Sequence, residues 1–105
     1  MGDGDAHIST ATITIEYITA SLFNIPGAGG EETVTGQTSG IAATTTNRRL
    51  GPKAGQFYLD VKSLVANDPT YKFTPGEQLN GNSSGAQARV LAVEYNNFLR
   101  NEGEY

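Results

Sequence analysis

The sequence predicts an all-β fold, a small β-barrel or β-sandwich built from antiparallel hairpins, with a flexible arm at each end. The 105-residue chain contains 13 glycines and many threonines, and it is poor in helix-forming residues. Two segments alternate between apolar and polar residues, and two Gly-rich turns of related sequence separate shorter apolar stretches. The length suits a single domain with one core.

Residues 8–18 form the clearest predicted strand, because Ala11, Ile13 and Ile15 alternate with threonines and a glutamate. Residues 57–62 alternate in the same way and form a second strand. The other main strands are predicted to form two hairpins, 32–35 with 41–46 and 77–80 with 86–95.

The strand at 86–95 has two apolar faces. Ala88, Val90 and Ala92 are predicted to share one face, while Leu91 and Val93 make the opposite face apolar as well. This pattern is typical of a strand packed between a core and a partner.

The remaining segments are predicted as connections and ends. A Gly-rich loop at 26–30 is expected to be flexible, and residues 47–55 are expected to form a polar connection. A brief strand is expected at 71–73. The domain organisation is an arm at 1–7, one β domain at 8–95 and a tail at 96–105, with one helical turn at 97–100.

Four residues are candidates for an interface with another protein. Arg48 and Arg49 belong to a small basic cluster in the predicted connection. Phe98 and Leu99 lie in the predicted tail, where large apolar side chains suggest docking rather than free exposure.

Composition and charge restrict the class of protein. The formal net charge is −4, so a broad basic surface for nucleic acid is not expected. The absence of cysteine excludes disulfides and thiolate metal sites, so oligomerisation or docking is the expected source of extra stability. With neither a signal-peptide pattern nor a long apolar run, we expect a soluble product of the cytoplasm without a membrane partner.

The chain contains an internal repeat. A shift of 45 positions superimposes the segment 32–43 on the segment 77–88, with the shared pattern E-x-φ-x-G-x-[ST]-S-G-x-x-A, in which φ is apolar. The pattern predicts two similar hairpin turns, in which glycines supply positive φ at both ends and hydroxyls bond the backbone between them. The predicted turn residues are Gly36, Ser39, Gly40, Gly81, Ser84 and Gly85.

The second copy also contains a G-x-S-x-G pattern around Ser83, which marks a nucleophilic serine in some hydrolases. Such a serine needs a strand-turn-helix and a histidine later in the chain, whereas the only histidine here is His7, upstream. The equivalent residue of the first copy is Thr38. A hairpin turn is therefore the favoured interpretation, and no catalytic residue or enzymatic activity is expected.

Other candidate sites have simpler explanations. Asp3 and Asp5 resemble the start of a calcium loop whose later ligands are missing, and His7 alone cannot form a metal site, so no metal or cofactor is expected. Glu32 and Glu77 are equivalent in the repeat and could form a carboxylate pair, but charges that protect hairpin edges are the commoner use. Tyr17, Tyr58, Tyr71 and Tyr95 could line a sugar-binding face, although strand tyrosines are more often core or interface residues.

Residues 73–90, FTPGEQLNGNSSGAQARV, resemble the F-x-x-G-E-x-φ-x-G-x-[ST]-S-G-A-x-A-x-V signature of small β-modules in tailed-bacteriophage virion proteins. The first copy matches in part: Ile41 replaces the usual alanine, and the loop at 26–30 lengthens the spacing between Phe23 and Glu32. The resemblance implies a non-enzymatic virion component with a β-barrel or β-sandwich fold.

The expected function is therefore that of a phage virion structural protein, synthesised in the host cytoplasm and assembled with other virion proteins. The leading hypothesis is a capsid decoration or cement subunit that acts as a homo-oligomer. A neck, tail or baseplate accessory subunit is one alternative. A carbohydrate- or receptor-binding module is another.

Overall fold

The fold was analysed in a computed structural model that describes residues 7–65 and 72–98. Within these ranges the chain forms six strands and no helix, so the predicted all-β class is confirmed. The strands are β1 (His7–Tyr17), β2 (Thr33–Gly36), β3 (Ala42–Leu50), β4 (Gln56–Val65), β5 (Gln78–Gly81) and β6 (Gln87–Phe98).

The strands close into one antiparallel barrel in the order β1-β4-β3-β2-β5-β6. Both predicted hairpins are present, as β2 with β3 and β5 with β6. Of the two architectures that the sequence allowed, the closed barrel is the one observed. Closure gives each strand a neighbour on both sides, which removes long unpaired sheet edges.

The core lies inside the barrel and follows from the alternation in the sequence. In β1, Ala11, Ile13 and Ile15 are buried, and in β4 Leu59 and Val61 are buried opposite them. Because successive strand residues point to opposite faces, the alternating threonines of β1 lie on the outer face. The other buried apolar residues are Phe23, Val34, Ile41, Ala43, Leu64, Phe73, Leu79, Ala86, Ala88 and Val90.

The barrel consists of two equivalent halves, β1–β3 and β4–β6, which we call the first and second half. Exchanging β1 with β4, β2 with β5 and β3 with β6 reproduces the strand order. The pairing of β2 with β5 maps onto itself, since Val34 lies opposite Gly81 and Gly36 lies opposite Leu79. The internal repeat seen at the hairpins therefore extends over the whole barrel, including β1 and β4.

Both halves contain a β-bulge at the same repeat position. In β6, Val90 lies opposite Ile15 and Ala92 opposite Thr14, which leaves Leu91 as the extra residue. In β3 the register shifts in the same way between Thr45 and Asn47. Position 46 of the first half and position 91 of the second half are thus equivalent bulge positions.

The bulge explains the two apolar faces predicted for β6. After it, Val93 and Tyr95 pack against the core, whereas Ala92 is exposed. The expectation that Ala92 shares the inner face with Val90 was wrong, because one extra residue reverses the alternation. Two apolar faces in this strand therefore do not by themselves require a partner.

Several predicted boundaries were also wrong. Residues 47–50 belong to β3 rather than to a connection, because β4 supplies a full antiparallel partner for them. Asn97 and Phe98 continue β6 opposite β1, so the predicted helical turn does not start there, and His7 belongs to β1 rather than to the arm. Phe73 lies outside the strands. Residues 1–6, 66–71 and 99–105 lie outside the described residues.

Candidate functional site

The most distinctive polar feature of the barrel is a pair of buried glutamates. Glu32 and Glu77 are only 4% and 5% exposed, and each immediately precedes the short central strand of its half, β2 or β5. Each side chain reaches the hairpin turn of the opposite half. We call each glutamate, together with the turn that it binds, a carboxylate clamp.

In the first clamp, Glu77 binds the turn between β2 and β3. Its Oε1 accepts hydrogen bonds from the backbone N–H groups of Thr38 and Ser39, at 2.8 and 2.9 Å. Its Oε2 accepts a third bond, from the backbone N–H of Thr74 at 2.6 Å. A carboxylate of the second half therefore satisfies two backbone donors in a turn of the first half.

The second clamp has the same geometry in the reverse direction. Oε1 of Glu32 accepts from the backbone N–H groups of Ser83 and Ser84, at 2.8 and 3.0 Å. Oε2 accepts from the N–H of Asn24 at 2.6 Å. The two clamps connect the halves in both directions, next to the pairing of β2 with β5.

The turns present these N–H groups because of their local sequence. Gly40 and Gly85 have φ of +77° and +74°, a conformation that favours glycine. Ser39 Oγ and Ser84 Oγ accept from the N–H two residues later, at 3.2 and 3.1 Å, as the repeat predicted for the hydroxyls.

Gly36 and Gly81 have a different role from the one predicted. Neither has positive φ. A Cβ at Gly36 would lie 2.6 Å from Oε1 of Glu77, and a Cβ at Gly81 would lie 2.8 Å from Oε1 of Glu32. The first glycine of each turn therefore makes room for the carboxylate, and only the second supplies the backbone conformation.

Hydrogen bonding determines the charge of both glutamates. Burial alone would raise the pKa of each carboxyl, but the backbone and hydroxyl donors around it outweigh that effect and hold the pKa of Glu32 and Glu77 below the ordinary value. Both side chains are thus ionised at neutral pH. The interpretation of these residues as edge charges was wrong, because neither is exposed and each binds the opposite turn.

Two tyrosines fix the segments that lead into the clamps. Tyr17 Oη accepts from the backbone N–H of Phe23 at 3.0 Å, and Tyr95 Oη accepts from the N–H of Phe73 at 2.7 Å. Both phenylalanines are buried, and each is followed by the residue whose N–H binds the Oε2 of a clamp glutamate. The longer spacing between Phe23 and Glu32 is accommodated by the loop at 26–30, so the first copy keeps the same contacts.

Ser83 contributes its backbone N–H to the second clamp. Its N–H binds Glu32, while its exposed Oγ lies 3.3 Å from Oδ1 of the adjacent Asn82. Among residues 7–65 and 72–98, no group of three or more His, Cys, Asp or Glu residues is arranged to hold a metal ion.

Of the four candidate interface residues, the structure describes the side chains of Arg48 and Arg49, and both make contacts within the chain. Arg48 Nη1 donates to the carbonyl oxygen of Phe23 at 2.6 Å. Arg49 forms a two-point ion pair with Asp60, and its guanidinium carbon lies 5.3 Å from the ring centroid of Tyr58. The side chain of Phe98 and all of Leu99 lie outside the described residues.

Comparison with family models, with curated proteins and with solved structures gave no significant match. Across the two described ranges, no helix has the length and apolar character needed to cross a membrane.

Proposed function

We propose that this protein is a non-enzymatic structural subunit of a tailed-bacteriophage virion, and more specifically a capsid decoration or cement subunit. The observation that carries the proposal is the use made of the residues in the virion-module signature. Glu77, Gly81, Ser84 and Gly85 build the clamps, and Ala88 and Val90 pack in the core.

This use fits a module whose task is to keep its shape while neighbours bind it. The chain has no cysteine, so disulfides contribute nothing to its stability. Instead, closed strand pairing and two reciprocal clamps hold the halves together. A buried carboxylate that satisfies three N–H donors fixes a turn more specifically than apolar packing alone can.

The experiment that tests the proposal is localisation of the chain in particles. Phage encoding a tagged copy are purified, the tag is detected by mass spectrometry, and the particles are imaged with a tag-directed label. Label distributed over the capsid supports a decoration subunit, and label confined to the neck, tail or baseplate supports the accessory-subunit alternative. Absence of the chain from purified particles would contradict the virion role altogether.

The carbohydrate-binding alternative gains no support from the tyrosines. Tyr17 and Tyr95 are partly buried, and their hydroxyls bind backbone groups. Tyr58 lies beneath Arg49, and Tyr71 falls outside the described residues. A glycan array probed with the full chain, with Tyr58→Ala as the matched variant, tests this alternative directly.

A further inference from the structure

The second half of the barrel has an apolar cleft beside β6. The cleft measures about 360 Å³ and is lined by residues 72, 73, 75, 90–93 and 95. Leu91, at the bulge, is 37% exposed, and Ala92 is also exposed. We refer to this surface as the β6 cleft.

The equivalent surface of the first half has a different sequence on the same backbone. Residues 90–93 read Val-Leu-Ala-Val, whereas the equivalent residues 45–48 read Thr-Thr-Asn-Arg. In the first half, Thr45 Oγ1 donates to the Asn24 carbonyl at 2.7 Å, and Arg48 donates to the Phe23 carbonyl. Polar side chains thus close the first-half surface with intramolecular hydrogen bonds.

The first half also has a longer loop at this place. Phe23 and Glu32 are nine positions apart, whereas Phe73 and Glu77 are four apart. The additional residues allow Ile25 to pack against the core, in a loop closed by backbone bonds between Ile25 and Ala28. The second half lacks this insertion. The comparison of the two halves therefore indicates what kind of group can cover such a surface. In the first half it is an aliphatic side chain carried on an irregular segment.

The charges around the β6 cleft indicate the character of the missing cover. Lys72 is exposed, with its Nζ 5.2 Å from the ring centroid of Tyr95. Arg89 is also exposed, and it donates a hydrogen bond to the carbonyl oxygen of Gly76, the residue that follows the cleft residue Pro75. A segment that combines an aliphatic residue with acidic residues complements this surface.

We infer that the β6 cleft binds residues 99–105 of a second copy of this chain. This segment reads Leu-Arg-Asn-Glu-Gly-Glu-Tyr, with aliphatic Leu99 to fill the cleft and Glu102 and Glu104 to meet Lys72 and Arg89. It follows β6 directly at Phe98, five residues beyond Val93 and hence about 17 Å away along the strand. To reach the cleft of its own chain, the segment would have to reverse direction and run back along β6. The segment of a second copy can approach the cleft without such a reversal.

The inference deepens the assembly role proposed above, because it names a contact through which copies associate. It is tested on the purified chain alone, whereas the proposed function is tested by localisation in particles. A failure of one proposal can therefore be distinguished from a failure of the other. The readout is the concentration dependence of the mass, measured by sedimentation velocity and native mass spectrometry.

Three full-length variants test the contact. Ala92→Glu places a negative charge in the cleft, Leu99→Ser with Glu102→Lys alters the segment, and Leu50→Glu is a control at a first-half position that is 82% exposed. We expect each of the first two changes to weaken self-association by about tenfold or more and the control to leave it unchanged. Thermal unfolding verifies that every variant is folded.

Mixing identifies the direction of the contact. The cleft variant retains an intact segment and the segment variant retains an intact cleft, so their mixture restores one productive contact that neither has alone. We expect the mixture to associate more strongly than either variant separately. A wild-type chain that stays monomeric, a mixture that does not associate, or an unaltered Ala92→Glu variant would each overturn the inference. If Ala92→Glu changes stability but not mass, the cleft is covered from within the chain and the inference is wrong.

Discussion

The two halves of the barrel share their strand pairing, bulge and clamp but differ in how their outer surfaces are covered. The first half has the polar stretch at 45–48 and a longer loop that packs Ile25, whereas the second half has the apolar stretch at 90–93 and a short connection. What remains common is the set of residues that each half uses to bind the other. The comparison distinguishes the residues that the fold requires, which both halves share, from the residues of the outer surface, which differ between the halves.

The clamps also show why the shared residues occur together. A glutamate in one half is useful only if the turn of the other half offers two N–H groups and has room for the carboxylate. Gly36 provides that room for Glu77, and Gly81 provides it for Glu32. Each copy of the repeat therefore contains both a glutamate and a turn, and the glutamate of one copy binds the turn of the other.

The largest expected effect follows removal of a clamp carboxylate. Glu77→Ala leaves the N–H groups of Thr38, Ser39 and Thr74 without their acceptor, and we expect a loss of about 4 kcal/mol in the free energy of unfolding. Glu32→Ala should cost a similar amount. Urea unfolding measures both, with the exposed Glu31→Ala as control; a loss below about 1 kcal/mol for either clamp would contradict the clamp assignment.

The next largest expected effect on stability distinguishes the roles of the two glycines in each turn. Gly81→Ala places a Cβ 2.8 Å from Oε1 of Glu32 and from the Phe23 ring, so we expect a loss of about 3 kcal/mol in the free energy of unfolding. Gly85→Ala meets no atom within 4 Å and adds only the cost of positive φ, about 1 kcal/mol. Thermal or urea unfolding of the two variants gives the order, and the reverse order would contradict the separate roles.

Acid should weaken both clamps. The pKa of Glu32 and of Glu77 is lower in the folded chain than the ordinary value, so the unfolded chain binds more protons in acid. Their contribution to stability is present above about pH 4.3, the ordinary value for glutamate, and is lost as pH falls through the folded pKa. Urea unfolding from pH 7 to pH 3 measures the slope of the free energy of unfolding against pH.

The control for the acid experiment distinguishes the clamps from the surface ion pair. Burial alone would raise the pKa of Asp60, but Arg49 and neighbouring donors hold it below the ordinary value, so Asp60 contributes to the slope in the same direction. The double variant Glu32→Gln and Glu77→Gln should flatten the slope more than Asp60→Asn does. Equal flattening would contradict the assignment to the clamps.

A further, small effect is expected from a difference between the two halves. Thr45 Oγ1 accepts from the Glu32 N–H at 3.0 Å and donates to the Asn24 carbonyl, whereas the equivalent Val90 makes no such bond. Thr45→Val should cost about 1 to 2 kcal/mol of unfolding free energy, because a buried donor loses its acceptor. Val90→Thr should not stabilise the second half, since the Glu77 N–H already bonds the Thr74 carbonyl. A stabilising Val90→Thr change, measured by urea unfolding, would contradict this account.

Much of the fold was predictable from local patterns. Alternation identified β1 and most of β4, and the repeat identified both hairpins together with their serines and their second glycines. The extension of β3 through Leu50 and of β6 through Phe98 was missed, because polar residues in these stretches are held as strand by partners distant in sequence. The bulges were missed for the same reason.

The clamp was only half visible in the sequence. Equivalent positions for Glu32 and Glu77 were recognised, but each was assigned to the surface of its own hairpin. The overlooked signal was that a glutamate at the start of each repeat accompanies a glycine and hydroxyl turn in the same repeat. No local sequence pattern indicates that the glutamate of one copy binds the turn of the other copy.

By itself, the sequence determined the strand class, the two turns and the single-core size, since alternation, glycine conformation and length act over short distances. Only the tertiary structure decided the closed order of strands, the burial of the glutamates and the difference between the two outer surfaces. Each of these depends on contacts between residues far apart in the chain. A carboxylate becomes a clamp only when a turn about 40 to 50 positions away presents its N–H groups, and such proximity is created by closing the barrel.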